Sequence, residues 1–170
     1  NIGGEVEFLE SQHANLGVEN PSQTCMTEFG VAWVNKFGVY LYDGQKVIEL
    51  TRGKLKAVDT TTRARALNVT ESDIPLIGYQ PLNKWLIIHP QAAVNDAYDV
   101  VAWIHDFKNG SWTWSQEFTA TNDKKSNMVS THDNELIFAA GTDSEAPDFF
   151  KYRSVTADPV ATKLLSLIHI

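Results

Sequence analysis

Carboxylates are the residues of this chain whose spacing comes closest to a reactive or metal-binding arrangement. Asp96 and Asp99 form one pair, and Asp143 and Asp148 flank Glu145 in a second group. Oxygen ligands of this kind suit calcium, and paired acids perform acid and base catalysis in glycosidases. Neither group has the D-x-[DN]-x-[DN]-G order of a calcium loop, which favours ordinary solvated loop acids. Asp96, Asp99, Asp143 and Asp148 are therefore the candidate acids if a ligand site exists.

Other residue types with catalytic or metal chemistry show no productive spacing. The histidines lack the i, i+4 spacing of a helical metal pair, and the single Cys25 excludes an internal disulfide and a cysteine-based zinc site. Adjacent His105 and Asp106 would point to opposite sides of a strand, so Asp106 is better explained as a residue that opens a turn. Neither a G-x-S-x-G motif nor a glycine-rich phosphate loop occurs. The sequence predicts no catalytic residue, no metal and no cofactor.

A cluster of basic residues is the second candidate for a site. Between positions 52 and 65 the chain carries five cations and one acid, whereas the whole chain has 14 Lys and Arg against 21 acids and a formal net charge of −7. That overall acidity argues against general binding of nucleic acid or an anionic membrane, and leaves this loop as the segment that could contact nucleic acid or an acidic neighbouring subunit. A solvated face is the alternative. The candidate partner-contact residues are Arg52, Lys54, Lys56, Arg63 and Arg65.

Composition places the chain among ordinary globular proteins. Its 170 residues are 43% hydrophobic, 11% aromatic and 21% charged, which is enough material for one domain or a piece of one. No run of 18 apolar residues is present, and the first residues lack the basic and apolar regions of a signal peptide. We expect neither a transmembrane segment nor a signal peptide in this chain.

The elements that must position these residues form a repeat. Three times, a short apolar strand, a turn and a second apolar strand follow one another, and Val31, Leu86 and Leu136 occupy equivalent positions. The offsets between them are 55 and 50 residues, a period typical of propeller blades. A third strand and usually a fourth can be read after each hairpin. In the third unit the fourth strand is either missing or falls in 154–156.

Four short antiparallel strands per repeat predict an all-β fold, a partial β-propeller of about three blades, with an open β-sandwich of hairpins as the alternative. Three blades do not close a ring, which needs about four to eight. The predicted segments are 1–20, the end of a preceding blade and a lead-in; 21–50, the first blade; 51–73, a basic connecting insertion; 74–116, the second blade; and 128–156, the third blade.

The last six residues, LSLIHI at 165–170, are interpreted separately. They are one translation of a transposon end sequence used to prepare sequencing libraries. We interpret them as an adapter-derived scar and the chain as a fragment of environmental DNA, with a native apolar C-terminal segment as the alternative.

The first blade resembles a known family. GVENPS at 17–22, followed by FGVAWVNKFGVYLYDG at 29–44, is similar to the repeat of propeller-type structural proteins of tailed bacteriophages. The resemblance is clearest over 17–50 and weaker over 74–114. It implies a virion component of the tail, nozzle or neck, present in the host cytoplasm during assembly, with other virion proteins or copies of itself in a ring as partners and no catalysis.

Two other functions stay open at this point. One is a propeller-type carbohydrate-active enzyme or sugar-binding module, which requires acids and aromatic residues from several blades to converge. The other is a cellular interaction module of the kelch or WD type, although the glycine doublet of kelch repeats is absent.

Overall fold

The computed structural model describes residues 14–57, 66–67, 69, 74–90, 102–115, 124–125, 127–141, 148–153 and 166–169. All regular elements in these ranges are β-strands, apart from a short 3-10 turn at Pro21–Gln23. The predicted all-β class is confirmed. None of the described segments forms a helix long and apolar enough to cross a membrane.

Two sheets are four-stranded antiparallel meanders in which each strand pairs with the next along the chain. Sheet I consists of β1 Thr24–Thr27, β2 Gly30–Asn35, β3 Gly38–Tyr42 and β4 Val47–Glu49. Sheet II consists of β5 Leu76–Gln80, β6 Trp85–His89, β7 Ala102–Asp106 and β8 Ser111–Ser115. These strands follow the order predicted from the apolar runs.

Sheet III has the same order with an interrupted first strand. It consists of β9 Lys124–Lys125, β10 Val129–Ser130, β11 Leu136–Gly141, β12 Asp148–Arg153 and β13 Ser166–His169. Both β9 and β10 pair with β11, so together they take the place of one strand.

The fourth strand of sheet III is β13, which pairs antiparallel with β12. The sequence predicted that this strand is either missing or falls at 154–156, and 154–156 lie outside the described residues. Because an alternating apolar segment can add to a sheet edge whatever its origin, this pairing does not test the interpretation of 165–170 as an adapter-derived scar.

Local turn chemistry explains where the strands end. The side-chain oxygen of Asn35 accepts hydrogen bonds from the backbone N–H of Phe37 and Gly38, and Asp43 does the same for the two residues before β4. These bonds lower the pKa of Asp43. Short polar side chains of this kind stabilise a reversal of chain direction, because they hydrogen-bond to the backbone N–H groups of the turn. At Gly30, the first residue of β2, the backbone φ is +133°, and a Cβ would lie 2.0 Å from the carbonyl oxygen of Tyr42 at the end of β3, so only glycine fits here.

The three sheets contact one another mainly through their first strands. In sheet II, β5 contacts β1 of sheet I on one side and β10 and β11 of sheet III on the other. Alternate residues of sheet II therefore point into two different cores. One core, shared with sheet I, contains Ile77, Leu86 and Trp103. The other, shared with sheet III, contains Leu76 and Ile87.

The seam between sheets II and III is closely packed at one point. A Cβ added to Gly78 in β5 would lie 2.6 Å from Cβ of Met128 and 3.1 Å from Leu136. The absence of a side chain at Gly78 lets sheet III approach β5. The hydroxyl of Ser130 donates a hydrogen bond to the carbonyl of Tyr79 across the same seam.

Candidate functional site

The first turns of the three sheets surround a groove of about 520 Å³, called here the turn groove. Its lining comes from the ends of β1, β5 and β10 and from the turn that follows each of these strands: Met26, Thr27, Glu28, Tyr79, Pro81, Leu82, Lys84, Ser130 and Asn134. Met26 and Leu82 are the most exposed large apolar residues described, at 72% and 70%. The groove thus combines an apolar rim with a small number of polar groups.

An ion pair crosses the turn groove from sheet I to sheet II. Nζ of Lys84 lies 2.5 Å from Oε2 of Glu28, and both side chains are partly exposed. The hydrogen bond from Lys84 lowers the pKa of Glu28. Burial of the Tyr79 ring and the neighbouring negative charge of Glu28 raise the pKa of Tyr79. Each charge already has a partner within the fold, which suits adhesion between sheets better than proton transfer.

Turn geometry positions these groups. Lys84 and Asn134 have left-handed backbone φ values of +62°, each at the end of its turn. The side-chain oxygen of Gln80 accepts a hydrogen bond from the N–H of Asn83, and this bond holds the β5–β6 turn in shape. Such left-handed positions are uncommon for residues other than glycine, and asparagine tolerates them best.

Aromatic rings continue from the groove into the seam between sheets I and II. Phe29 of the β1–β2 turn packs on Phe107 of the β7–β8 turn, with ring centroids 4.5 Å apart. Phe107 in turn contacts His105 at 5.0 Å, and His105 contacts Trp112 at 4.8 Å. The indole N–H of Trp112 donates to the carbonyl of Leu50, the residue directly after β4 of sheet I. These contacts fix the relative position of two sheets.

His105 and Asp106 have separate structural roles. A side-chain oxygen of Asp106 accepts a hydrogen bond from the N–H of Lys108, as expected of a residue that opens a turn. His105 is 3% exposed between aromatic rings, and burial, helped by the positive charge of Lys54, lowers its pKa to about 4. At neutral pH it is an uncharged core side chain. No group of three or more His, Cys, Asp or Glu in the described ranges could hold a metal ion.

The basic loop is anchored in the fold where it is described. Nε of Arg52 lies 3.1 Å from Oε2 of Glu49, and Nζ of Lys54 donates a 2.6 Å hydrogen bond to the carbonyl of Gly110 in the β7–β8 turn. The carbonyl of Lys56 accepts a hydrogen bond from the N–H of Leu67. The other two predicted partner-contact residues, Arg63 and Arg65, lie outside the described residues.

Part of the same connecting segment is core. Ala66 and Leu67 are each 1% exposed and Val69 is 3% exposed, and Leu67 and Val69 pack in the core between sheets I and II. The carbonyl of Ala66 accepts a hydrogen bond from the indole N–H of Trp103. The segment predicted as a basic insertion therefore also fills a seam between sheets.

The candidate acids are not brought together by the described structure. Asp96, Asp99 and Asp143 lie outside the described residues. Asp148 was expected in a loop. It is instead the first residue of β12, where its backbone pairs with Ala140. The predicted acid site stays a prediction.

Sequence reasoning missed the residues of the turn groove. Glu28 and Lys84 are 56 positions apart and belong to no motif. The signal that could have found them is the repeat itself, because both belong to the first turn of their unit, and equivalent turns of neighbouring units lie together when repeats stack on one another. Comparison of the chain with protein-family models, curated proteins and solved structures gives no match.

Proposed function

We propose that the three sheets are blades of a β-propeller and that this propeller is a non-catalytic structural component of a bacteriophage virion, in the tail, nozzle or neck. The observation that carries the propeller is the position of β5 between β1 and β10, with sheet II covered by a neighbouring sheet on each face. Radially repeated sheets that meet through their first strands are the packing of propeller blades.

A scaffold role accounts for the chemistry of the described residues. The ion pair of Glu28 with Lys84 joins the first turns of sheets I and II, and the hydrogen bond of Lys54 with Gly110 joins the connecting segment to the β7–β8 turn of sheet II. These charged groups are paired within the fold and hold neighbouring blades together. The virion assignment rests on the resemblance of 17–44 to phage propeller repeats, and fold alone does not supply it.

A carbohydrate-binding role has less support among the described residues. Sugar platforms need exposed aromatic rings that converge with polar groups. Trp114 is the most exposed described tryptophan, at 44%, and it lies in β8, the strand of sheet II most distant from the turn groove along the order of strands.

Mass spectrometry of purified virus particles tests the virion role. Particles are separated on a density gradient from the sample in which the gene occurs, and their proteins are digested with trypsin. Residues 37–46, FGVYLYDGQK, follow Lys36 and end at Lys46, so they form one tryptic peptide. We expect this peptide in the particle fraction together with capsid and tail peptides. Its occurrence in cellular protein alone would refute the virion role.

A further inference from the structure

The β7–β8 turn contains the only Asn-Gly step in the sequence, at Asn109 and Gly110. Asn109 is exposed, so solvent water reaches its side-chain amide. Gly110 has a left-handed φ of +68° and no Cβ, so no side chain shields the backbone nitrogen between the two residues. Asparagine is one of the thermally labile residue types, and a following glycine removes the steric protection that a larger residue gives.

The reaction open to this pair is loss of ammonia through a cyclic imide. The backbone nitrogen of Gly110 gives up its proton and forms a bond to Cγ of Asn109. The bond from Cγ to Nδ2 then breaks, and Nδ2 takes up a proton and leaves as ammonia. Solvent water opens the ring: attack at Cγ gives aspartate, and attack at the backbone carbonyl carbon gives isoaspartate, in which the chain runs through Cγ.

Asp106, at the start of the turn, holds the groups that would react. Its backbone carbonyl accepts a 2.8 Å hydrogen bond from the N–H of Gly110. Its Oδ2 accepts a 3.1 Å hydrogen bond from Nδ2 of Asn109, and the N–H of Ser111 donates a 2.8 Å hydrogen bond to Oδ1 of the same side chain. A hydrogen-bonded amide proton leaves slowly, as in native-state hydrogen exchange, and a side-chain amide bound at both ends does not rotate freely.

We propose that Asn109 is a site of spontaneous deamidation and that Asp106 controls its rate, so that conversion follows release of the β7–β8 turn. In the folded chain the backbone nitrogen keeps its proton and the side-chain amide keeps its orientation. When the turn opens, both restraints are lost together, because Asp106 contributes to each. The inference goes beyond the proposed function and does not depend on it, since every contact that carries it lies within 106–111.

Conversion changes the contact between the connecting segment and sheet II. Nζ of Lys54 donates a 2.6 Å hydrogen bond to the carbonyl of Gly110. An aspartate at position 109 lacks the Nδ2 donor and brings a second negative charge to the carboxylate of Asp106, where like charges repel. An isoaspartate adds one carbon to the backbone of the turn. Either product disturbs the arrangement in which the Gly110 carbonyl meets Lys54, so we expect this hydrogen bond to weaken.

Mass spectrometry of one short peptide measures the conversion. Chymotrypsin cuts after Phe107 and Trp112 and releases 108–112, KNGSW, which contains no other side-chain amide. The purified chain is incubated at neutral pH for increasing times, either folded or unfolded in guanidinium chloride, and the aspartate and isoaspartate forms of the peptide are separated by chromatography. We expect conversion in the unfolded chain and conversion at least about fivefold slower in the folded chain, since one hydrogen bond corresponds to about a factor of five.

Two matched aspartate variants isolate the role of Asp106. Asp106→Ala removes the acceptor for Nδ2 of Asn109 and should accelerate conversion in the folded chain by at least about fivefold. Asp43→Ala is the control, because Asp43 opens the β3–β4 turn with the same kind of bonds to backbone N–H groups and touches neither Asn109 nor Gly110. It should leave the rate at Asn109 unchanged.

Three results would overturn the inference. They are equal rates in the folded and unfolded wild-type chain, equal rates in folded Asp106→Ala and Asp43→Ala, and a peptide that stays unconverted in guanidinium chloride. Circular dichroism establishes that each variant is folded before its rate is compared. If Asp106→Ala does not fold, the comparison of folded with unfolded wild-type chain still decides the question.

Urea unfolding of Asn109→Asp tests the consequence of conversion. This substitution should lower the urea midpoint, and it should lower the midpoint less in a Lys54→Ala background, where the contact that it weakens is already absent. Equal effects in the two backgrounds would contradict the link from Asn109 to the connecting segment.

Discussion

Replacing Leu67 by alanine removes a fully buried side chain from the seam between sheets I and II. Leu67 is 1% exposed, and its backbone N–H donates to the carbonyl of Lys56. The substitution deletes three carbon atoms, which at about 0.8 kcal/mol per buried carbon corresponds to about 2.4 kcal/mol of lost transfer free energy. A residual cavity raises the expected cost to about 2–5 kcal/mol of the free energy of unfolding.

Urea unfolding followed by tryptophan fluorescence measures this loss. The indole of Trp103 is hydrogen-bonded to the carbonyl of Ala66, so its emission reports on the same seam. Wild-type and variant chains are compared at one protein concentration, because any association would add to apparent stability. Leu82→Ala is the control: Leu82 is 70% exposed, and its replacement should change stability by no more than about 0.5 kcal/mol.

The result that would refute the reasoning is a loss below about 1 kcal/mol for Leu67→Ala with an unchanged dependence on urea concentration. Such a result would mean that the connecting segment leaves the seam at little cost. The sheets would then be held together by their own side chains alone.

Three further perturbations test other contacts. Gly78→Ala should lower the free energy of unfolding measured in urea by about 1–3 kcal/mol, since the added Cβ would overlap sheet III. Gly17→Ala is the control and should be near neutral, because a Cβ at Gly17 has nothing within 4 Å. Equal effects of the two substitutions would contradict the close approach of sheet III to Gly78. Lys84→Met should raise the pKa of Glu28 toward its ordinary value in an NMR titration, because Lys84 supplies the hydrogen bond that lowers it, and an unmoved pKa would argue against the ion pair. The pKa of His105 is about 4 in the folded chain and 6.5 ordinarily, so the unfolded chain takes up this proton first as the pH falls. The contribution of the neutral His105 side chain to the free energy of unfolding is therefore complete above about pH 6.5 and is lost as the pH falls toward 4. His105→Phe should reduce the fall in urea midpoint between pH 7 and pH 5, and an identical fall in both chains would contradict this.

Much of the fold could be predicted because its signals are local. Equivalent apolar positions such as Val31, Leu86 and Leu136 repeat along the chain, and each is the first or second residue of β2, β6 or β11, the strand that follows the first turn of its sheet. The turn role of Asp106 was also predictable, since a carboxylate reaches backbone N–H groups two residues away.

The candidate site was harder to predict because its contacts are not local. The positive charges around Lys54 predict that the connecting segment is a partner surface, whereas Leu67 in the same segment is buried. Charge density in a sequence does not reveal which neighbours are drawn into a seam, since burial depends on the distance between two sheets.

What the sequence determined by itself is the strand pattern, the turns and the repeat, because alternation, glycine and short polar side chains act over a few residues. The tertiary structure alone decided that Glu28 meets Lys84, that Gly78 admits a neighbouring sheet, and that sheet II packs against a neighbouring sheet on each of its two faces. These contacts join residues about 50 positions apart, and only the packing of one sheet on the next brings such residues within reach.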